Sequence, residues 1–154
     1  MRSVLAITAS MLACSLPAFG QSLEGVWRPV EIVINGGPNP GRHTSDIQPG
    51  LAIFTKRHYS QVWVVGFSPR PRLSDSPTDE ERGRVFQPFG ANAGTYELRD
   101  STLTLAPIVA KNPAVMAGTP LTVQVRLQGD SVWVTTRSAD GSVTRAKWVR
   151  TERL

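Results

Sequence analysis

The sequence predicts an all-β domain, an eight-stranded antiparallel up-and-down β-barrel with one short helix. Short apolar segments alternate with turns rich in Gly and Pro, and there is little helical periodicity. In Leu121 to Gln128, apolar and polar residues alternate, which is typical of a half-buried strand. Gly129-Asp130 and Asp140-Gly141 then supply residues that favour tight hairpin turns. The C-terminal third is therefore predicted to be an up-and-down meander.

Residues 1–20 are predicted to be a signal peptide that is cleaved after Gly20. Arg2 supplies a positive charge, Val4 to Ala13 form an apolar core, and small residues precede the cleavage site. The apolar core is too short to span a membrane, which takes about 20 residues. A lipoprotein modified at Cys14 is the less favoured alternative. Residues 21–154 are then the β-barrel domain, in the periplasm or outside the cell, with no transmembrane segment.

Cleavage limits the chemistry of the mature chain. Cys14 is the single cysteine, so disulfides, thiolate nucleophiles and Cys-ligated metals are excluded from residues 21–154. The formal net charge of +5 falls by one with the loss of Arg2, which leaves a modest excess of basic over acidic residues. No basic run with interleaved aromatic residues occurs, so a nucleic-acid partner is not expected.

Eight candidate strands are each short and bounded by turn residues. They are Val26 to Ile34, Leu51 to Thr55, Tyr59 to Gly66, Thr95 to Arg99, Thr102 to Val109, Leu121 to Gln128, Ser131 to Arg137 and Val143 to Val149. Pro29 cannot donate a hydrogen bond to a neighbouring strand, so a bulge or an edge position is expected there. Short connections, and the lack of an immunoglobulin-type framework of Cys and Trp, favour a barrel over a sandwich.

Two connections are longer than a hairpin turn. In residues 67–94, Ser76 to Asp79 resemble a helix start with Pro in the first turn, and they predict a short helix from Pro77 to about Val85. This connection is expected to act as a lid or a plug at one barrel end. Asn35 to Gly41, rich in Gly and Pro, is predicted to be a loop.

Four segments resemble those of bacterial lipocalin-like domains and stand in the family order. Leu23 to Arg28 contain a G-x-W sequence like the one that opens lipocalins. Pro49 to Thr55 are similar to the second strand of that family, and Gly94 to Leu98 to its central G-T-Y segment. Lys147 to Arg150 match its closing W-x-R. The resemblance covers nearly all of residues 21–154 and implies a calycin-type barrel.

The resemblance also implies a structural pair at one end of the barrel. In this family the opening Trp closes the end and a late Arg packs across it, which corresponds to Trp27 and Arg150. Strand alternation supports the pair, because Ala146, Trp148 and Arg150 share one face of the last strand. A cation–π contact between Trp27 and Arg150 is expected, with a structural and not a catalytic role.

The function that the resemblance implies is binding of a small apolar or amphipathic molecule inside the barrel. A protein-interaction module or inhibitor on a calycin barrel is the first alternative, and an enzyme that uses the cavity is the less favoured second. Apolar walls with a few polar groups are the usual pattern of a binding cavity. On strand faces, the predicted ligand-binding residues are Phe54, Tyr59, Trp63, Tyr96 and Arg126.

No catalytic or metal-binding pattern is present in the sequence. His43 and His58 are the only histidines, neither has a metal-ligand spacing, and both are predicted to lie in exposed loops. Haem ligation by one of them, as in some calycin barrels, is a minor alternative. No G-x-S-x-G, phosphate-binding loop or dinucleotide fingerprint occurs. The sequence therefore predicts no catalytic residue, metal or cofactor.

Overall fold

The computed structural model describes residues 22–36, 41–66 and 68–154, so the predicted signal peptide lies outside the described residues. Its elements in chain order are β1 (Gly25–Asn35), β2 (Arg42–Thr44), β3 (Gly50–Phe54), β4 (His58–Val64), α1 (Asp79–Phe86), β5 (Phe89–Arg99), β6 (Thr102–Ala110), β7 (Leu121–Gln128), β8 (Ser131–Arg137) and β9 (Val143–Glu152). A short 3₁₀ turn, Pro113–Val115, lies between β6 and β7.

Eight of the strands form a closed antiparallel barrel, which confirms the fold class that the sequence predicts. Each strand from β3 to β8 pairs with the next, β1 pairs with β3, and β1 also pairs with β9. A register shift between Pro29 and Glu31 gives β1 the bulge expected at Pro29. Alternate apolar side chains pack inside the barrel and form its core around the buried Trp27.

The segment around His43 forms the short strand β2, so the prediction of a loop there is wrong. β1 is longer than its pairing with β3, and Ile32 to Ile34 pair with β2 instead. Backbone groups of β1 that would otherwise be unpaired are covered in this way. The His43 side chain is nevertheless exposed, and its Nε2 lies 3.4 Å from Glu31 Oε1.

Strand β5 begins at Phe89, well before Thr95, where the sequence predicts its start. β4 pairs with this earlier segment from Phe89 onward, so neighbouring strands satisfy a backbone whose small residues have weak β-propensity. Position 90 of this segment requires Gly, because the Trp63 indole lies directly over it and a Cβ atom there would overlap the ring. Pairing in space therefore overrides local preference in β5.

Helix α1 begins at Asp79, slightly later than predicted, and its ends are well bonded. Thr78 Oγ1 accepts a hydrogen bond from the Glu81 N–H (3.2 Å), and the Glu81 carboxylate accepts one from the Thr78 N–H (2.7 Å). At the other end, Lys111 Nζ donates to the carbonyl oxygen of Phe86 (2.6 Å), where a cation is favourable. No α1 side chain is buried, so the helix does not fill the barrel.

Candidate functional site

One end of the barrel is closed by Trp27 and Arg150. The Trp27 side chain is 1% exposed, and its Nε1 donates to the carbonyl oxygen of Leu23 (2.7 Å). The Arg150 Cζ atom lies 4.5 Å from the centroid of the Trp27 ring. Arg150 Nη1 donates to the carbonyl of Glu24 (2.8 Å), and Nη2 to that of Ser22 (2.7 Å). The guanidinium group therefore fastens the segment before β1 across the barrel end.

A cavity of about 260 Å³ lies inside the barrel. Strands β6, β7 and β8 form an aliphatic wall, made by Leu103, Leu105, Leu121, Val123, Val125, Val132 and Val134. Trp27, Trp63 and Trp148 add aromatic surface. Among the described residues that line the cavity, no side chain is ionisable, and the polar side chains are those of Gln61, Asn92 and Thr136.

The strand register explains why the amide side chains of Gln61 and Asn92 lie on the inner surface of the barrel. Trp27 pairs with Ala52, Ala52 with Gln61, and Gln61 with Asn92. Directly opposed residues share one face of an antiparallel sheet, so this row lies together on the inner surface of β1, β3, β4 and β5. Gln61 Nε2 donates to Asn92 Oδ1 at 3.0 Å. An amide pair thus lies on one side of the cavity, and the aliphatic wall is formed by other strands.

The predicted ligand-binding residues separate into three groups. Phe54 and Trp63 line the cavity. Tyr59 and Tyr96 pack in the core beside Phe54, with ring centroids 6.1 Å and 5.1 Å from the Phe54 centroid, and neither lines the cavity. Two of the five residues therefore line the cavity, and two more pack against Phe54 without lining it.

Arg126 was predicted to face the barrel interior, but the structure places it on the outside of the barrel. It is exposed, and its Cζ atom lies 4.5 Å from the centroid of the Trp133 ring. Val125 is buried and faces inward, so strand alternation turns its neighbour Arg126 to the solvent. Conversely, sequence reasoning missed the amide pair. The available sequence signal was the position of Gln61 two residues after Tyr59, which places both side chains on the same face of β4.

The hydroxyl group of Tyr59 is buried and has no hydrogen-bond partner among the described residues. Burial raises the pKa of Tyr59, because the charged phenolate loses hydration in this environment. A tyrosine in the unfolded chain has the usual pKa of about 10. The unfolded chain therefore releases this proton at lower pH than the folded one, and stability falls as the pH rises above about 10.

Tyr59→Phe is expected to leave the free energy of unfolding unchanged or to raise it by up to about 1 kcal/mol, because it removes an unpaired buried hydroxyl. The variant should also lose stability less steeply above about pH 10. Tyr96→Phe is the matched control: the Tyr96 hydroxyl donates to the carbonyl of Thr55 at 2.8 Å, and its loss should cost about 1 kcal/mol. Urea unfolding measures the free energy of unfolding of both variants. Equal destabilisation would contradict the finding that the Tyr59 hydroxyl is unpaired whereas the Tyr96 hydroxyl is hydrogen-bonded.

Outside the cavity, the described residues show no metal-binding arrangement. No group of three or more His, Cys, Asp or Glu side chains comes together in the described ranges. His58 is exposed at the start of β4, where its N–H donates to Thr55 Oγ1 (3.2 Å).

None of the helices in the described ranges is long and apolar enough to cross a membrane.

Comparison with known protein families finds no match, and comparison with curated proteins finds none either. Among solved structures, a redesigned β-barrel is similar to this chain. It shares 13% sequence identity, with a TM-score of 0.43, and the match covers 84% of this chain and 92% of the designed one. The strand pairings and contacts of the chain itself define the barrel and its cavity.

Proposed function

We propose that this chain is a lipocalin-like binding protein that holds one small apolar or amphipathic molecule inside its barrel. The observation that carries the proposal is the cavity of about 260 Å³, with aliphatic and aromatic walls. The four lipocalin-like sequence segments support the assignment to that family. The signal-peptide pattern of residues 1–20 supports a periplasmic or secreted location.

The volume of the cavity limits the size of the ligand. A protein cavity of about 150 Å³ accommodates one benzene molecule, so about 260 Å³ accommodates roughly ten non-hydrogen atoms. Cavities for drug-sized ligands are larger, about 300–1,000 Å³. The proposed ligand is therefore a single ring with short substituents, or a short aliphatic compound. A long acyl chain or a haem group does not fit within this volume.

The chemistry of the cavity wall favours binding over catalysis. General acid–base catalysis requires a titratable group within hydrogen-bonding distance of the substrate. The lining residues in the described part of the chain are aliphatic, aromatic, amide or hydroxyl side chains. Thr136 has the single lining hydroxyl of this set, and the lining set contains no base to activate it.

Val134→Phe tests the proposal, because Val134 lines the cavity and a phenyl ring there occupies space that a ligand needs. The probe is propylbenzene, and its binding is followed by the fluorescence of the tryptophans that line the cavity. The unchanged protein should bind it, and Val134→Phe should weaken binding at least tenfold. Val62→Phe makes the same change at a position that is 38% exposed, outside the cavity, and should not affect binding.

Circular dichroism shows whether both variants keep the fold, since additional core volume costs about 1–3 kcal/mol. Native mass spectrometry of the purified protein provides an independent measurement of bound small molecules. If the unchanged protein does not bind propylbenzene, or if both variants bind it equally well, the proposal is wrong.

A further inference from the structure

The amide pair of Gln61 and Asn92 is the main polar feature of the cavity wall. Asn92 is 9% exposed, so its amide lies in a region from which most water is excluded. Both residues line the cavity on β4 and β5, whereas β6, β7 and β8 form its aliphatic wall. A bound molecule therefore meets the amide pair on one side and, apart from the Thr136 hydroxyl on β8, hydrocarbon on the other.

The hydrogen bond between the two amides leaves part of their capacity free. It uses one N–H of Gln61 and the carbonyl oxygen of Asn92. Among the described residues, no group bonds to Asn92 Nδ2 or to Gln61 Oε1. The pair thus offers one unbonded donor atom, Asn92 Nδ2, beside one unbonded acceptor atom, Gln61 Oε1, and Gln61 Nε2 keeps a second N–H. Neither atom is one of the fully buried side-chain atoms without a partner, which among the described residues are Tyr59 Oη and Arg150 Nε. A small molecule can therefore reach both atoms, and a ligand that accepts one hydrogen bond and donates another would satisfy them.

The charge of the wall determines which polar group the cavity accepts. No lining side chain among the described residues is charged. Arg150 lies at the closed end on the Trp27 ring, and its Nη1 and Nη2 atoms are bonded to backbone carbonyls. A carboxylate or an ammonium group would therefore lose its hydration in the cavity without gaining a partner of opposite charge. Burial of an unpaired charge costs several kcal/mol.

We infer that Gln61 and Asn92 select an uncharged ligand that has one donor–acceptor group, such as a primary carboxamide, on an apolar body of single-ring size. This inference rests on the proposed function and specifies its ligand class. The carboxamide oxygen accepts a hydrogen bond from Asn92 Nδ2, and its N–H donates to Gln61 Oε1. The apolar body packs on the aliphatic wall.

Three probes with equal numbers of non-hydrogen atoms test the inference: para-ethylbenzamide, para-ethylbenzoate, and the hydrocarbon in which an isopropyl group replaces the carboxamide. Isothermal titration calorimetry or tryptophan fluorescence gives each dissociation constant. The carboxamide should bind several-fold more tightly than the hydrocarbon, as expected for one or two neutral hydrogen bonds. The carboxylate should bind at least tenfold more weakly than the carboxamide at neutral pH.

The double variant Gln61→Met, Asn92→Leu replaces both amides with apolar side chains of similar size. Replacing both partners of a hydrogen bond is close to neutral for stability. The variant should keep its affinity for the hydrocarbon and lose its preference for the carboxamide. Gln61→Met alone, which keeps Asn92, is the second variant if the double variant does not fold, and it should reduce the preference partly.

The outcomes separate the inference from the proposed function. If the unchanged protein binds the hydrocarbon as tightly as the carboxamide, or if the preference survives in a folded double variant, the cavity binds ligands but the amide pair does not select them. The inference is then wrong and the proposed function stands. If the protein binds none of the three probes, the proposed function and the inference are both wrong.

Discussion

Trp27→Ala is expected to lower the free energy of unfolding by about 3–5 kcal/mol, the usual cost of truncating a buried tryptophan. Trp27 is the largest fully buried side chain in the described part of the molecule, at 1% exposure. Its removal leaves a void at the closed end and takes away the ring on which Arg150 packs. The Leu23 carbonyl also loses its hydrogen bond from Nε1.

Urea unfolding followed by circular dichroism measures this loss. Trp133→Ala is the matched control, because Trp133 lies on the outer surface, where Arg126 and Lys147 pack over its ring at 4.5 and 5.4 Å. Loss of these contacts on the outer surface should cost about 1 kcal/mol. Equal losses in the two variants would show that Trp27 has no special role in closing the barrel.

Gly25→Ala is expected to cost about 3 kcal/mol or more, from two separate causes. Gly25 has φ = +135°, a conformation that strains any residue with a side chain by about 1–3 kcal/mol. A Cβ atom at this position would also overlap the Glu152 carbonyl oxygen, and it would lie 3.2 Å from Arg150 Cδ. The Glu152 backbone and the Arg150 side chain must then move away from the new methyl group, where β1 pairs with β9. This overpacking costs further stability.

Gly129→Ala separates the two causes. Gly129 has φ = +57°, and nothing lies within 4 Å of its hypothetical Cβ atom. This variant should lose about 1 kcal/mol, from backbone strain alone. Thermal or urea unfolding of both variants gives the difference, and equal losses would rule out the steric cause. A larger loss in Gly25→Ala would explain physically why the G-x-W sequence begins with Gly.

The barrel strands are largely predictable from the sequence, because each has one face in the core and shows it by alternation. Leu121–Gln128 and Ser131–Arg137 have the predicted bounds. The start of β5 and the strand β2 are not predictable in this way. The beginning of β5 is made of small residues, and β2 has three residues that pair only with the far part of β1. Both depend on neighbours that are distant in sequence.

The candidate site was only partly predictable. Phe54 and Trp63 follow from strand faces, whereas Arg126 shows that a polar residue chosen for its chemistry must also obey alternation. Asn92 was out of reach because the start of β5, which contains it, has no strand signal. The cavity itself is the small difference between the space inside the barrel and the summed volume of its side chains. Sequence periodicity contains no information about that difference.

The pairing of β1 with β9 has a consequence for the kinetics of folding. It extends from Val26 opposite Glu152 to Asn35 opposite Val143, so every other strand of the barrel lies between its two partners in the chain. Contacts of such long range slow folding, because the chain loses loop entropy before they form. During synthesis β1 emerges long before β9. Until the two strands pair, the edge of β1 that β9 will cover stays open and can pair with a wrong strand.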